Sequence, residues 1–203
     1  MYQLPYFTEP DEEVILDFMQ KNSFALISGI LNEKVVTTHI PIEVEKIDGK
    51  IVLSGHIMKG TNHHKAFLEN ENVLIVFSGA HCYVSASWYE KKAVASTWNY
   101  MDVQVQGKIK FTDTKGTLEI IEKITDKYEG LESEATFKSM SSDYLLKNVE
   151  AIIGFYIEVV SVENTFKLSQ NKNLYIRKNI IANLEKLGDV NSKMIAEEMK
   201  KRL

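Results

Sequence analysis

The sequence predicts an α+β protein whose strands form an antiparallel barrel or sheet. Five or six strand-like segments follow one another before most of the helical segments, and this segregation is typical of α+β folds rather than doubly wound sheets. The Asp48-Gly49 pair lies between two of the strand-like segments, as it does in tight hairpin turns. The fold class therefore rests on the order of the segments and on turn chemistry.

The first half of the chain is predicted to hold most of the strands. An amphipathic helix begins in the capping stretch at Thr8 and ends near Lys21, with acidic residues in its first turn. A short helix is expected at 61–69, where Thr61 or Asn62 can serve as N-cap. Strands are predicted at 24–30, 35–45, 51–57, 73–79, 81–89 and 98–113, with a bulge at Gly107 in the last of them.

The second half of the chain is predicted to be mainly helical. Helices are expected at 114–129, 137–147, 173–187 and 191–202, and a final strand at 154–168. We expect residues 1–168 to form one domain. Residues 169–203 then form a C-terminal helical extension that packs on the barrel or across a dimer.

Composition and cysteine usage indicate a cytoplasmic protein. The 203 residues are 44% hydrophobic and 26% charged, as in ordinary globular proteins. No apolar stretch approaches the roughly 20 residues that span a bilayer, so no membrane partner is expected. The start of the chain lacks the basic and apolar regions of a signal peptide. A single cysteine, Cys82, cannot form an intramolecular disulfide, which favours a reducing compartment.

The charge distribution gives only a weak hint of an anionic partner. The net charge of −4 is not that of a nucleic-acid-binding domain. From Lys167 onward, however, the chain contains nine Lys and Arg residues and only four Asp and Glu residues. The alternative interpretation of this basic tail is a solvated helical surface.

The histidine and cysteine patterns argue against a metal site and against cysteine catalysis. The five histidines include no pair at helical i, i+4 spacing, and no CxxC or HExxH motif occurs. His63 and His64 diverge by roughly 100° on a helix. His81 and Cys82 are adjacent in a strand and point to opposite faces. We therefore expect no metal, and no nucleophile signature or P-loop is present.

The stretch HIMKGTNHHKAF (56–67) predicts an anion site instead. A strand ends there, the chain turns, and a helix begins with unpaired amides. Lys59 approaches from the strand and Lys65 lies one turn into the helix, so two ammonium groups and a hydroxyl could meet a phosphate. A solvated basic turn with one core-facing histidine is the alternative. A second polar stretch, TFKLSQNK (165–172), is read either as a ligand edge or as a strand-exit loop.

Four motifs together resemble the PaiB-type FMN-binding negative transcriptional regulators. They are HIMKGTNHHKAF, VLIVFSGAHCYVSASWY, STWNYMDVQVQGKI and TFKLSQNK, and the opening YxxPYF is also similar. The resemblance runs from residue 2 to about residue 200. That family looks like part of the flavin-binding split-barrel group, which includes pyridoxamine-phosphate oxidases and flavin reductases.

The resemblance implies FMN as cofactor, a split β-barrel with peripheral helices, and a homodimer with flavin at its interface. It places the ribityl phosphate at His56 and at the turn from Lys59 to Lys65. It places the isoalloxazine against Thr38 and His39 of the second strand, and it places Trp98 and Asn99 near the flavin, from the same chain or from the partner subunit. The implied cofactor-binding residues are Thr38, His39, His56, Lys59, Thr61, His64, Lys65, Trp98 and Asn99. This chain has Thr-Asn-His-His-Lys where many members have Asn-Pro-x-Trp.

Three hypotheses on function remain open at this point. The first is an FMN-binding regulator or sensor without turnover. The second is an FMN-dependent oxidoreductase that uses NAD(P)H or a small substrate, with His39 or His56 as proton donor. The third is a DNA-binding repressor. It depends on the basic residues of the last helices, Lys178, Lys193, Lys200, Lys201 and Arg202.

Overall fold

A computed structural model describes residues 4–91, 93–130 and 132–203, so Tyr2 of the YxxPYF motif lies outside it. The strands in these ranges are β1 (Phe24–Leu31), β2 (Lys34–Pro41), β3 (Glu43–Ile47), β4 (Lys50–Met58), β5 (Asn72–Val84), β6 (Thr97–Phe111) and β7 (Ile152–Lys167). The α-helices are α1 (Glu12–Lys21), α2 (Asn62–Glu69), α3 (Thr114–Glu129), α4 (Ser142–Val149), α5 (Leu174–Leu187) and α6 (Val190–Lys200).

The strands form one sheet in the order β2-β1-β5-β6-β7-β4-β3. β1 pairs antiparallel with β2 and β5, and β4 pairs antiparallel with β3 and β7. The two edge strands, β2 and β3, follow each other in the chain with one residue between them. The predicted α+β class is confirmed, and the fold is that of the antiparallel split β-barrel proteins.

The predicted single strand at 35–45 is wrong, because the chain leaves one edge of the sheet at Pro41 and joins the other at Glu43. Ile42 between them is fully buried, and its amide donates to the carbonyl of Ser23 at 2.8 Å. Ile40, Ile42 and Val44 are all buried. The apolar alternation therefore continues through the break and hides it.

The predicted pair of strands at 73–79 and 81–89 is also wrong, because both belong to β5. Gly79 does not turn the chain. A Cβ at this position would lie 2.7 Å from the ring of Phe18, so the glycine allows the close approach of α1. The strand ends at Val84, and Ala86–Trp88 form a short 3-10 helix.

Most predicted helices are confirmed, with changes at their ends. Asp11, and not Thr8, caps α1, since its carboxylate accepts from the amide of Glu13 at 2.9 Å. The helix predicted at 137–147 is displaced, because Ser141 caps α4 and only a 3-10 turn precedes it. Among the described residues, no helix is long and apolar enough to cross a membrane.

The chain divides into two compact units. The first, unit A, holds the chain up to Phe18, Ser78–Val103 and Glu163–Leu203. The second, unit B, holds Met19–Phe77 and Gln104–Val162. The domain boundary at residue 168 stays a prediction.

Each unit has its own fully buried side chains. The largest in unit B are Phe77, Phe155, Met19, Ile27, Ile42, Leu53, Ile75 and Ile157. In unit A they include Leu168 and three residues of the terminal helices, Ile180, Leu184 and Ile195. The C-terminal helices therefore contribute to the core of unit A rather than projecting from it as a free tail.

Gly107 gives a stability prediction. A Cβ there would lie 2.4 Å from Cγ2 of Ile157 and 2.8 Å from the backbone oxygen of Glu158. Since a backbone oxygen cannot move cheaply, we expect Gly107→Ala to lower the free energy of unfolding by about 2 kcal/mol. Gln106→Ala on the exposed face is the control, with an expected change within about 0.5 kcal/mol. Equal urea midpoints for the two variants would contradict the close approach.

Candidate functional site

The predicted anion site is a turn between β4 and α2. Gly60 has a positive φ of 77° and reverses the chain after Met58. Thr61 caps α2, because its hydroxyl oxygen accepts from the amide of His64 at 3.4 Å. The same hydroxyl donates to the carbonyl of Met58 at 2.8 Å. Thr61 therefore shapes the turn, and its hydroxyl proton is already engaged.

The position and protonation of His64 are set by this turn. The amide of Gly60 donates to Nδ1 of His64 at 3.1 Å, so Nδ1 is the acceptor and Nε2 carries the proton. Burial and the charge of Lys59 lower the pKa of His64, which favours the neutral ring. The ring also meets Phe111 edge-on at 5.3 Å. His64 therefore offers one N–H donor in a fixed orientation.

Two lysines flank the start of α2. Lys59 is exposed, and its Nζ donates to the carbonyl of Glu150 at 3.1 Å. An ammonium group has three donors, so two remain for a ligand. Lys65 is exposed one turn into the helix. Two cations beside a helix N-terminus form an arrangement suited to phosphate.

His56 supplies an independent sign of a ligand. It lies in β4 opposite Gly154, and its side chain is half-buried. Its Nδ1 is buried and has no hydrogen-bond partner among the described residues. Burial lowers the pKa of His56. A buried polar atom without a partner calls for a ligand or water, so the donors present fit a polar group such as the phosphate of FMN.

Thr38 and His39 lie on opposite faces of β2. Thr38 is half-buried opposite Ile27, which is fully buried. His39 is exposed and stacks on the ring of Phe24, with centroids 5.8 Å apart and planes at 22°. A planar ring on one face of the strand can meet one of these two side chains only.

Trp98 and Asn99 also diverge, in β6. Trp98 is 52% exposed, whereas Asn99 is fully buried. Oδ1 of Asn99 accepts from the hydroxyl of Ser169 at 3.0 Å, and its Nδ2 lies 3.4 Å from the sulfur of Met199. The Asn99 side chain joins β6 to the C-terminal segment and presents no surface to a ligand. The structure therefore gives no support to the predicted flavin contact of Asn99.

The nine predicted residues fall into two groups. Unit B contains seven of them: Thr38, His39, His56, Lys59, Thr61, His64 and Lys65. Trp98 and Asn99 belong to unit A. Two contributors were missed: the carbonyl of Glu150, which anchors Lys59, and Phe24, which stacks on His39. The first is far away in the chain, and no local signal in the sequence indicates it.

The polar stretch TFKLSQNK forms a closed strand-exit loop. Lys167 donates to the hydroxyl of Thr97 at 2.6 Å. Ser169 has a positive φ of 61° and bonds Asn99. Gln170 accepts from the amide of Leu168 and donates to the carbonyl of Phe166. These side chains serve the loop, which favours the strand-exit interpretation over the ligand edge.

The described residues show no group of three or more His, Cys, Asp or Glu side chains that could hold a metal ion. Cys82 is buried and is a free thiol that forms no disulfide. Burial and, to a lesser degree, Asp189 raise the pKa of its thiol to about 12. A thiol that stays protonated at neutral pH is a poor nucleophile.

Comparison with known proteins identifies the family. Residues 1–161 match the family described as "Putative FMN-binding domain". The chain belongs to this family. The match confirms the resemblance seen in the sequence and FMN as its cofactor.

A curated relative of full length supports the assignment. The chain is 32% identical over 204 aligned positions to "Protease synthase and sporulation protein PAI 2" of Bacillus subtilis strain 168. The alignment covers 100% of this chain and 98% of the relative. The chain therefore matches this relative along almost the whole length of both proteins.

Solved structures agree on the fold. An FAD and heme binding protein from Mycobacterium smegmatis is similar with a TM-score of 0.60 at 13% identity, over 86% of this chain and 79% of the other. The flavocytochrome Anf3 from Azotobacter vinelandii is similar with a TM-score of 0.61 at 15% identity, over 82% and 72%. At these identities the likeness shows the fold alone.

Proposed function

We propose that this chain is an FMN-binding regulator or sensor that holds the ribityl phosphate at the β4–α2 turn. The observation that carries this proposal is the preset donor arrangement of the turn: Gly60 fixes the tautomer of His64, and Glu150 anchors Lys59. Lys65 and the first amides of α2 complete the cradle. Thr61 acts as the cap that orders these groups.

His56 lies in β4, in the same unit as the proposed cradle, and adds a further polar group to it. Its buried Nδ1 without a partner would accept or donate a hydrogen bond to the polar chain of the cofactor. His39 and Phe24 form a stacked pair that could border the ring system on one face of β2. When bound, FMN supplies hydride and single-electron chemistry, while the residues of the chain bind and orient it.

We propose a second copy of the chain as the partner, as the resemblance predicts. Phe24, Ile30 and Val35 are 68%, 47% and 74% exposed, and the pairing of Ile30 with Val35 sets these two side by side. Phe24 lies six residues before Ile30 in β1, an even number, so it points to the same face. Exposed apolar side chains on a sheet face are typical of protein interfaces. A homodimer across this face would bring His39 to the interface.

The decisive experiment combines FMN titration with a measurement of mass. We expect a saturable flavin absorbance change with one FMN per chain, and a dimer mass by light scattering. Phe24→Ser with Val35→Ser should shift the mass toward the monomer, because the exposed apolar face is removed. Ile47→Ser, at an exposed position of β3, is the matched control. Failure of saturating FMN to bind would refute the proposed function.

An FMN-dependent oxidoreductase is the second candidate. Its support is the half-buried imidazole of His56, whose Nδ1 has no hydrogen-bond partner among the described residues and is available for proton transfer to a bound ligand. Anaerobic mixing of the FMN-loaded protein with NADH or NADPH tests it. Bleaching of the flavin band would favour the enzyme, and an unchanged band would favour the regulator.

A DNA-binding role ranks below both. Three of the five basic residues that it requires are in ion pairs: Lys200 with Glu185, Lys201 with Glu198, and Arg202 with Glu9 and Glu198. A mobility shift with promoter DNA at low salt tests direct binding.

The proposed location is the cytoplasm, supported by the single buried thiol of Cys82.

A further inference from the structure

Unit A contains a cleft that the proposed phosphate cradle does not use, and one of its residues, Trp98, is placed near the flavin by the family resemblance alone. It lies among β5, β6 and the turn between α5 and α6, and its volume is about 460 Å³. Small-molecule sites commonly enclose about 300–1,000 Å³. The side chains that decide its chemistry are His81, Tyr83, Trp88, Trp98, Asp189 and Asn191.

Aromatic rings form the walls of the cleft. Tyr83 and Trp98 are 50% and 52% exposed, which leaves much of each ring open to a ligand. Their centroids are 5.9 Å apart and their planes meet at 73°. The imidazole of His81 lies 6.1 Å from Trp98 at 41°. The three rings therefore form one aromatic cluster in the lining of the cleft, and the exposed part of each ring is a π-surface that attracts cations.

Asp189 brings a negative charge to the same cleft. It caps α6, and its carboxylate accepts from the amide of Ser192 at 3.0 Å. These hydrogen bonds from Ser192 hold the pKa of Asp189 below its usual value. Of the described residues that line the cleft, none is a lysine or an arginine. The charge balance therefore excludes an anion as the preferred ligand.

The kind of cation that fits the cleft follows from the number of oxygen ligands that its lining offers. A hard metal cation requires several oxygen ligands, and the cleft offers one carboxylate. An alkylated ammonium group instead gains from π-faces and from a single counter-charge. We propose that this cleft binds a small organic cation with an alkylated ammonium group, held against the exposed parts of the Tyr83 and Trp98 rings and attracted by Asp189.

Choline and its uncharged isostere, 3,3-dimethylbutan-1-ol, test the proposal on the full chain. The two molecules have the same shape and differ in charge. Calorimetric titration should show choline binding about tenfold or more tightly than the alcohol. Equal affinity would overturn the proposal in favour of a neutral apolar ligand. The absence of choline binding at millimolar concentration would also overturn it.

Asp189→Asn is the sharpest variant, because asparagine caps a helix as well as aspartate does and removes only the charge. We expect it to weaken choline binding about tenfold and to leave the binding of the alcohol unchanged. Asp113→Asn is the matched control, since Asp113 caps α3 in unit B. Unchanged choline affinity in Asp189→Asn would refute the role of the carboxylate.

Tyr83→Leu tests the aromatic wall and should weaken choline binding about fivefold. The FMN affinity of each variant is measured in parallel, and choline is titrated with and without FMN. Choline binding without FMN binding would refute the proposed function and leave this site intact. FMN binding without choline binding would refute the cation site and leave the proposed function intact.

Discussion

Replacing Lys59 and Lys65 together by alanine is expected to weaken FMN binding at least about 100-fold. A hydrogen bond from a charged donor contributes about 1.5–3 kcal/mol, and two such bonds to phosphate would be lost. Even after a discount for the exposure of both ammonium groups, about 3 kcal/mol remains, which corresponds to about two orders of magnitude in affinity. Titration of flavin absorbance or fluorescence measures the loss.

Riboflavin separates phosphate binding from ring binding, because it lacks the phosphate. The Lys59/Lys65 double variant should bind riboflavin about as well as the unchanged protein does. Lys34→Ala with Lys50→Ala is the matched control, since it removes the same charge from exposed positions of unit B. A loss of riboflavin affinity as large as the loss of FMN affinity would place the phosphate elsewhere.

The two lysines should not contribute equally. Lys59 is already held by the carbonyl of Glu150, so less of its conformational entropy is lost when it binds phosphate. Among residues 4–91, 93–130 and 132–203, no hydrogen bond of this kind is seen for Lys65, which stands exposed on the first turns of α2. Lys59→Ala alone should therefore cost more FMN affinity than Lys65→Ala alone.

The sequence predicted what depends on neighbouring residues. The β3–β4 hairpin follows from Asp48 and Gly49, which both adopt the positive φ that such a turn requires, 50° and 76°. The start of α2 follows from Thr61, whose hydroxyl accepts the amide of His64 as capping chemistry predicts. Each of these features is decided within a few residues of chain.

The features that the sequence did not predict have distant causes. The break at Ile42 is fixed by the carbonyl of Ser23 and by the two edges of the sheet, neither of which a local pattern can reveal. Gly79 is typical of a strand end, but β5 continues through it, because the glycine makes room for the ring of Phe18. In both cases a local rule was overridden by a partner from another element.

The candidate site shows the same division between local and distant causes. The lysine and helix-start chemistry could be predicted from HIMKGTNHHKAF, but the anchor of Lys59 lies at Glu150 in another segment. The alternation rule that separates His81 from Cys82 also separates Trp98 from Asn99. Trp98 and Asn99 therefore point to opposite faces of β6, and their contact with flavin stays a prediction.

Asn99→Leu is expected to lower the free energy of unfolding by about 3 kcal/mol. Asn99 is fully buried, and leucine cannot accept the hydroxyl proton of Ser169, which is itself 3% exposed. A buried donor without a partner costs about 1–3 kcal/mol, and the branched side chain must also fit beside Met199. For a chain of this size the melting temperature should fall by roughly 10 °C.

Ser169→Gly provides the matched partner for a double-mutant cycle. Glycine adopts the positive φ of Ser169 without strain and removes the hydroxyl that Asn99→Leu leaves unpaired. The double variant should therefore be less destabilised than the sum of the two single variants by about 1 kcal/mol or more. Additive effects would mean that the hydrogen bond between them contributes little.

Asn99→Leu also decides whether Asn99 has only a structural role or also contacts the flavin. If the side chain only joins β6 to the C-terminal segment, folded Asn99→Leu should bind FMN within about threefold of the unchanged protein, since the ligand never meets it. A tenfold loss of FMN affinity at a temperature where the variant is fully folded would restore the flavin contact that the family resemblance predicts. The buried position of Asn99 and the bond from Ser169 favour the first result.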